Sequence, residues 1–148
     1  MDIRTVNELF AVAPQIQPSD MQALAAEGFV SVICNRPDGE EDGQPSVKEM
    51  RAAAQDAGLT FHYIPVSGGV FPDSKVAAFR QVRRGTEGAV LAYCLTGTRS
   101  IILETIANPK NLTAEDRLKH AANAGYDLSP LRDQLGAQAQ EIRKDHHA

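Results

Sequence analysis

Ala89-Val90-Leu91-Ala92-Tyr93-Cys94-Leu95-Thr96-Gly97-Thr98-Arg99-Ser100-Ile101-Ile102-Leu103 is the stretch whose reading decides the fold. Its first part, Ala89 to Tyr93, is short, apolar and mixes small with β-branched side chains, the composition of a buried strand. Its last part runs on through Glu104-Thr105-Ile106-Ala107 and stops near Asn108-Pro109, which predicts a helix of a few turns. Between them lies a loop of glycine and hydroxyl residues that begins with a cysteine. In an open α/β sheet, ligands collect at the carboxyl ends of the strands. A loop there that opens a helix aims several backbone N–H groups at one spot, where the helix dipole also favours negative charge.

Such a loop favours the thiolate of Cys94, because the amides, the dipole and Arg99 all stabilise a negative sulfur. It also makes an anion cradle beside that sulfur. Arg99 contributes a planar, permanently charged fork suited to an oxyanion. Cys94 and Arg99 are therefore the expected catalytic pair, with Leu95, Thr96, Gly97, Thr98 and Ser100 as the anion-binding loop. The competing reading is a buried structural cysteine next to a turn with a surface arginine.

These residues resemble the loops of two groups, the protein tyrosine phosphatases and the rhodanese-type sulfurtransferases. Phosphatase loops carry one residue more between Cys and Arg and follow the Arg with Ser or Thr. The spacing from Cys94 to Arg99 is that of rhodanese loops, yet Ser100 follows as in a phosphatase. The mixture resembles the phosphatase-like domain of the β-lactamase-hydrolase-like proteins, a family also labelled as sulfurtransferases. Further stretches carry the same likeness: Ile33-Cys34-Asn35-Arg36-Pro37-Asp38-Gly39-Glu40-Glu41, His62-Tyr63-Ile64-Pro65-Val66 and Ala124-Gly125-Tyr126-Asp127-Leu128. The resemblance implies a tyrosine-phosphatase-like α/β fold: a central, mostly parallel sheet of four to five strands with helices on both faces.

Composition sets the outer bounds. The 148 residues suffice for one well-cored domain over 1–148 and are too few to expect two. A hydrophobic share of 43% and a charged share of 23% are ordinary for a globular protein. No apolar stretch is long enough to predict a membrane span, and Met1-Asp2-Ile3-Arg4 lacks the build of a secretory signal. The net charge of −4 argues against nucleic acid or an anionic membrane as partner. Two cysteines make no disulfide framework, and a working thiolate needs a reducing compartment, so the expected location is cytoplasmic.

Along the chain, Leu9-Phe10-Ala11-Val12 reads as a first strand with Ala13-Pro14-Gln15 as its exit, a segment resembling the family's opening hairpin. A helix capped by Ser19 follows, with Met21, Leu24 and Ala25 inward, ending at Gly28. Phe29 to Cys34 is the next strand, apolar enough to be covered on both faces. Asn35 to Pro45 is a polar loop whose acidic part, Glu40-Glu41-Asp42, reads as solvated. Arg36 leaves a strand end on the same rim as the Cys94 loop; it is either a second positive charge for the anion pocket or the partner of Asp38 or Glu40. Cys34 reads as a small buried hydrophobe rather than a resolving thiol. Ser46 caps a helix to Gly58 with Glu49 in the capping-box position, Leu59 to Val66 is a strand, and Ser67 to Asp73 is a connector. A helix from Ser74 to about Arg84, one capped by Thr113 and running to Asn123, and one from about Ser129 to Arg143 complete the chain. Neither a metal nor a cofactor is expected; the histidines of the tail are too few and too terminal to argue for one.

Phosphate-ester hydrolysis through a phosphocysteine needs a general acid for the leaving oxygen. Dual-specificity phosphatases carry an aspartate on the loop after the Ile-Pro-Val-like strand, where this chain has Ser67-Gly68-Gly69. Asp73 lies further on, in a helix's first turn; its two readings are an auxiliary acid that swings into the site and a carboxylate that stabilises the helix dipole. Sulfur transfer needs no such acid: Cys94 would take up a sulfane sulfur as a persulfide and pass it to a small thiol or cyanide. The shorter loop also encloses less volume. The sequence thus favours a sulfurtransferase acting on a small anionic sulfur compound, with a cysteine-dependent phosphatase as the alternative and a non-catalytic anion or thiol sensor as the third reading. Fused members of the family adjoin a persulfide dioxygenase; lacking His-x-His-x-Asp-His, this chain would hand its sulfur to glutathione or to a separate dioxygenase.

Overall fold

The computed structural model describes residues 1–138. Five strands form one sheet, β1 (Arg4–Asn7), β2 (Phe10–Ala13), β3 (Phe29–Cys34), β4 (Thr60–Tyr63) and β5 (Ala89–Tyr93), in the order β1-β2-β5-β3-β4. Only β1, the hairpin partner of β2, is antiparallel; the other pairings are parallel. The expected opening strand is thus the second arm of a hairpin. Its first arm was not legible because Arg4-Thr5-Val6-Asn7 is a polar edge segment, and edge strands need no apolar run.

β5 sits at the centre, flanked by β2 and β3, and its side chains from Val90 to Tyr93 are buried. A strand covered on both faces must be apolar on both, which is why the Ala89–Tyr93 run is continuous rather than alternating. One face carries Val12, Ile33, Val90 and Ala92 against α3 (Asp73–Gly85), α4 (Thr98–Ala107) and α5 (Ala114–Asn123). The other carries Ala11, Val32, Cys34, Leu91 and Tyr93 against α1 (Met21–Ala26) and α2 (Val47–Asp56). Two apolar layers therefore clamp the sheet and fix the level of its carboxyl edge.

Local chemistry sets most helix ends as the sequence predicts. The Ser46 hydroxyl accepts from the Glu49 amide while the Glu49 side chain returns to Ser46, a capping box. Thr113 accepts from the Asp116 amide in the same manner. α4 is buried nearly all round, including Ile101, Leu103, Glu104 and Thr105, and ends at Asn108 in the left-handed conformation. The expectation for Ser19 fails: Pro18–Asp20 form a 3-10 turn, and the Asp20 carboxylate, not Ser19, takes the Gln17 amide. The strand expected to reach Val66 ends at Tyr63, although the Ile64 and Val66 amides still donate to the Cys34 and Asn35 carbonyls. Near the C-terminus, Ser129–Leu131 form a 3-10 turn and residues 132–138 are helical; the rest of the helix expected up to Arg143 lies outside the described residues.

Candidate active site

Cys94 follows the last residue of β5, and Gly97 is the N-cap of α4, so the loop between strand and helix is as short as the sequence implies. Gly97 has φ of +90°, a conformation that a side chain resists. A Cβ there would also lie 2.2 Å from the Tyr126 hydroxyl. The first hydrogen bond of α4 runs from the Ile101 amide to the Gly97 carbonyl, so the amides of residues 97 to 100 have no intrahelical partner. The Gly97 amide donates to the Cys94 sulfur at 3.1 Å, and the Thr98 amide to the Thr96 hydroxyl. Those of Arg99 and Ser100 are left at the positive end of the helix dipole.

The loop carbonyls are held outward. The Leu95 carbonyl accepts from the Gln15 amide at 3.1 Å, and the Thr96 carbonyl from the Tyr126 hydroxyl at 2.9 Å. Two loop carbonyls are thus tied on the outside, while the Gly97 amide turns in to the Cys94 sulfur. Cys94 itself is 0% exposed; Leu95, Thr96 and Thr98 form the exposed lip.

Arg99 is braced from the side. Its Nη1 donates to Glu40 Oε2 at 2.8 Å and to the Val66 carbonyl at 3.0 Å, and its Nη2 to Glu40 Oε1 at 2.9 Å. Of the guanidinium's five N–H groups, Glu40 and Val66 take three, and the Nε–H and one on Nη2 form the other edge of the fork. Glu40 above all, with the nearby Cys94 sulfur adding to it, pushes the Arg99 guanidinium up. Arg36 reaches the same carboxylate, its Nε 3.0 Å from Glu40 Oε1, and donates through Nη1 to Gln15. Its Nη2 lies 3.4 Å from the Glu41 carboxylate. The Arg99 and Arg36 guanidiniums hold the Glu40 carboxyl at about 2, well below the usual carboxylate range.

Glu40 is exposed, as expected of this loop, yet it is also the shared partner of both arginines. Of the two roles open to Arg36, the ion pair is the one formed, with Glu40, and the residue is 2% exposed. Asn35 completes the scaffold: its amide nitrogen donates to the Ile64 carbonyl and its oxygen accepts from the Ser100 hydroxyl at 2.8 Å, tying the ends of β3 and β4 to α4. The Ser100 hydroxyl is thus directed at Asn35 rather than at the sulfur.

Cys34 lies elsewhere. It is paired in register with Tyr93, belongs to the α1/α2 face and donates to the Arg36 carbonyl at 3.3 Å; burial pushes its thiol up. Because strand side chains alternate, Cys34 and Cys94 leave the sheet on opposite faces. Asp73 is exposed at the start of α3, and no hydrogen bond or ion pair among the described residues joins it to the Cys94 loop. Sequence reasoning missed Gln15, Asn35, Glu40 and Tyr126 as parts of the site. Two arginines on one rim do call for a carboxylate, which was the available signal for Glu40.

Comparison with known proteins places the chain in a family and a fold. The family model of the beta-lactamase hydrolase-like protein, phosphatase-like domain, matches residues 2–110. A beta-lactamase hydrolase-like protein of Agrobacterium fabrum is 42% identical over 125 residues, covering 83% of this chain and 29% of its own length. One of Xylella fastidiosa is 35% identical over 143 residues, covering 94% of this chain and 33% of its own. The chain thus spans about a third of the length of these curated relatives. Among solved structures, a candidate phosphatase of Neisseria meningitidis superposes with a TM-score of 0.79 at 34% identity, covering 91% of this chain and 96% of that one. Kinase associated phosphatase, at 15% identity and a TM-score of 0.65 (92% of this chain, 95% of that one), shares the fold.

Proposed function

We propose that this chain, which belongs to the phosphatase-like domain family of the beta-lactamase hydrolase-like proteins, is a cysteine-dependent phosphatase acting through a phosphocysteine. This reverses the order in which the sequence ranked its two chemistries. The observation that carries it is the braced Arg99, whose second fork edge is left by Glu40 and Val66 near the Cys94 sulfur, to which the Gly97 amide also donates. A phosphoryl group has several equatorial oxygens to satisfy, and loop amides plus a guanidinium edge are the donors such a group needs.

In this reading the Cys94 thiolate attacks phosphorus, the P–O bond to the leaving group breaks, and the leaving oxygen departs with the electron pair. Water then attacks the phosphocysteine, releasing inorganic phosphate and restoring the thiolate. Arg99 and the amides of the helix N-terminus hold the oxygens through both steps. Asp73 stands apart from the loop, so leaving groups that depart without a proton donor, aryl rather than alkyl, are the favoured substrates.

A second reading, sulfur transfer from a small sulfane donor to glutathione, cyanide or a separate dioxygenase, draws on the complete cover over Cys94, which suits a terminal sulfur. One pair of assays separates them. p-Nitrophenyl phosphate should be turned over by the wild type and not by Cys94→Ser. Sulfur transfer from thiosulfate to cyanide without phosphatase activity would reverse the assignment. Activity retained in Cys94→Ser would overturn the role of Cys94, and a wild type with neither activity would leave the sensor.

A further inference from the structure

Residue 126 lies beyond the segment matched by the family model, on the turn after α5, yet it touches the active loop. The Thr96–Gly97 peptide is one rigid plane with its carbonyl and its N–H on opposite sides. The carbonyl accepts from the Tyr126 hydroxyl at 2.9 Å, and the N–H donates to the Cys94 sulfur at 3.1 Å. We propose that Tyr126 is a positioning residue of the Cys94 site, setting this peptide so that its N–H rather than its carbonyl faces the sulfur.

The alternative orientation is accessible, because residue 97 is glycine and crosses between φ regions at little cost. In that orientation a carbonyl oxygen would point at the thiolate and repel it. A donor outside the loop excludes the flip, and among the described residues Tyr126 is the side chain that supplies one to this carbonyl. The neighbouring Leu95 carbonyl is held by a main-chain amide, that of Gln15, which no substitution other than proline removes.

Tyr126 is itself firmly based. Its amide donates to the Ala121 carbonyl at the end of α5, and Leu128 two residues on is buried in the α3/α4/α5 core. The Arg4 guanidinium lies 5.3 Å from the ring centroid and donates through Nη1 to the Ala124 carbonyl. Burial pushes the Tyr126 hydroxyl up against the opposing pull of the Arg4 charge, so it stays protonated and donating. The hydrogen bond thus links β1, the turn after α5 and the loop.

The role rests on Cys94 being the reactive thiolate, and the test separates the two claims. The measurement is the pH profile of iodoacetamide alkylation at Cys94, located by mass spectrometry, in wild type, Tyr126→Phe and Arg4→Met. Phe keeps the ring and its packing while removing only the hydroxyl; Met loosens the same turn and leaves the hydroxyl in place. Tyr126→Phe should displace the profile to higher pH, with alkylation at neutral pH slowed about fivefold, the scale of one lost hydrogen bond, while Arg4→Met stays with the wild type. A wild-type profile matching free cysteine overturns the nucleophile itself. A wild type displaced to low pH with Tyr126→Phe superimposed on it overturns only the role of Tyr126, and equal displacement by Arg4→Met does the same.

Discussion

Replacing Glu40 by glutamine tests whether the carboxylate braces Arg99 or competes for it. Three hydrogen bonds end on this carboxylate, two from Arg99 and one from Arg36. A glutamine keeps one oxygen, and its amide NH2 would meet a guanidinium N–H head-on. The substitution therefore loses at least the bidentate contact to Arg99. Charge-assisted bonds contribute about 1.5–3 kcal/mol each where water is excluded, and Glu40 is open enough to place these at the lower end. Arg99 keeps its bond to the Val66 carbonyl, so it is loosened rather than released. If the brace matters mainly when the fork edge must meet the transferring phosphoryl, about 1.5–3 kcal/mol is lost from the transition state, and kcat/KM falls about ten- to a hundredfold. The assay is steady-state hydrolysis of an aryl phosphate, with KM and kcat separated and urea unfolding run alongside. A Glu40→Gln enzyme with undiminished or higher kcat/KM would refute the reasoning, because Glu40 would then be an occupant of the anion site that substrate has to displace.

The same carboxylate gives acid stability a definite sign. Its folded-state value of about 2 lies below the ordinary range, so its contribution is complete above that range and drains away as pH falls through the folded value. Discounted for the water that reaches Glu40, the stability gap between wild type and Glu40→Gln should narrow by about 1 kcal/mol from about pH 5 to pH 3, read by urea unfolding at each pH. Glu104 carries the opposite shift, pushed up by burial, but it is common to both proteins and cancels in the difference. On the far side of the sheet edge, Arg83→Met strands Glu104, which Arg83 binds at 2.6 Å and 3.1 Å while lying over the Phe10 ring. The cost should be about 3–5 kcal/mol near neutral pH and smaller in mild acid, where Glu104 takes up a proton; a thermal or urea melt at the two pH values checks it.

What the sequence made legible was the part of the molecule where one residue type admits few conformations. The continuous apolar run of β5 fits little besides a central strand, and Gly97 followed by a buried helix fixes the loop. Ser46 with Glu49, and Thr113, mark helix starts by hydrogen bonds made within a few residues. The site's bracing was not legible for the converse reason: it is made of contacts distant along the chain. Glu40 meets Arg99 across 59 positions, Ser100 meets Asn35 across 65, and Tyr126 meets Thr96 across 30. Read locally, Glu40 is one acid in an acidic loop and Tyr126 one aromatic in a turn; only the parallel neighbours β3 and β5 bring the first of them to Arg99. The same placement explains why Cys34, paired in the sheet with the residue before Cys94, stands outside the site. Cys34 ends its strand on the α1/α2 face and donates a hydrogen bond to a carbonyl, whereas Cys94 lies one residue past Tyr93 and accepts one from an amide. A single step along the chain reverses the side of the sheet, and that step separates two buried thiols, one donating to a carbonyl and the other accepting from an amide.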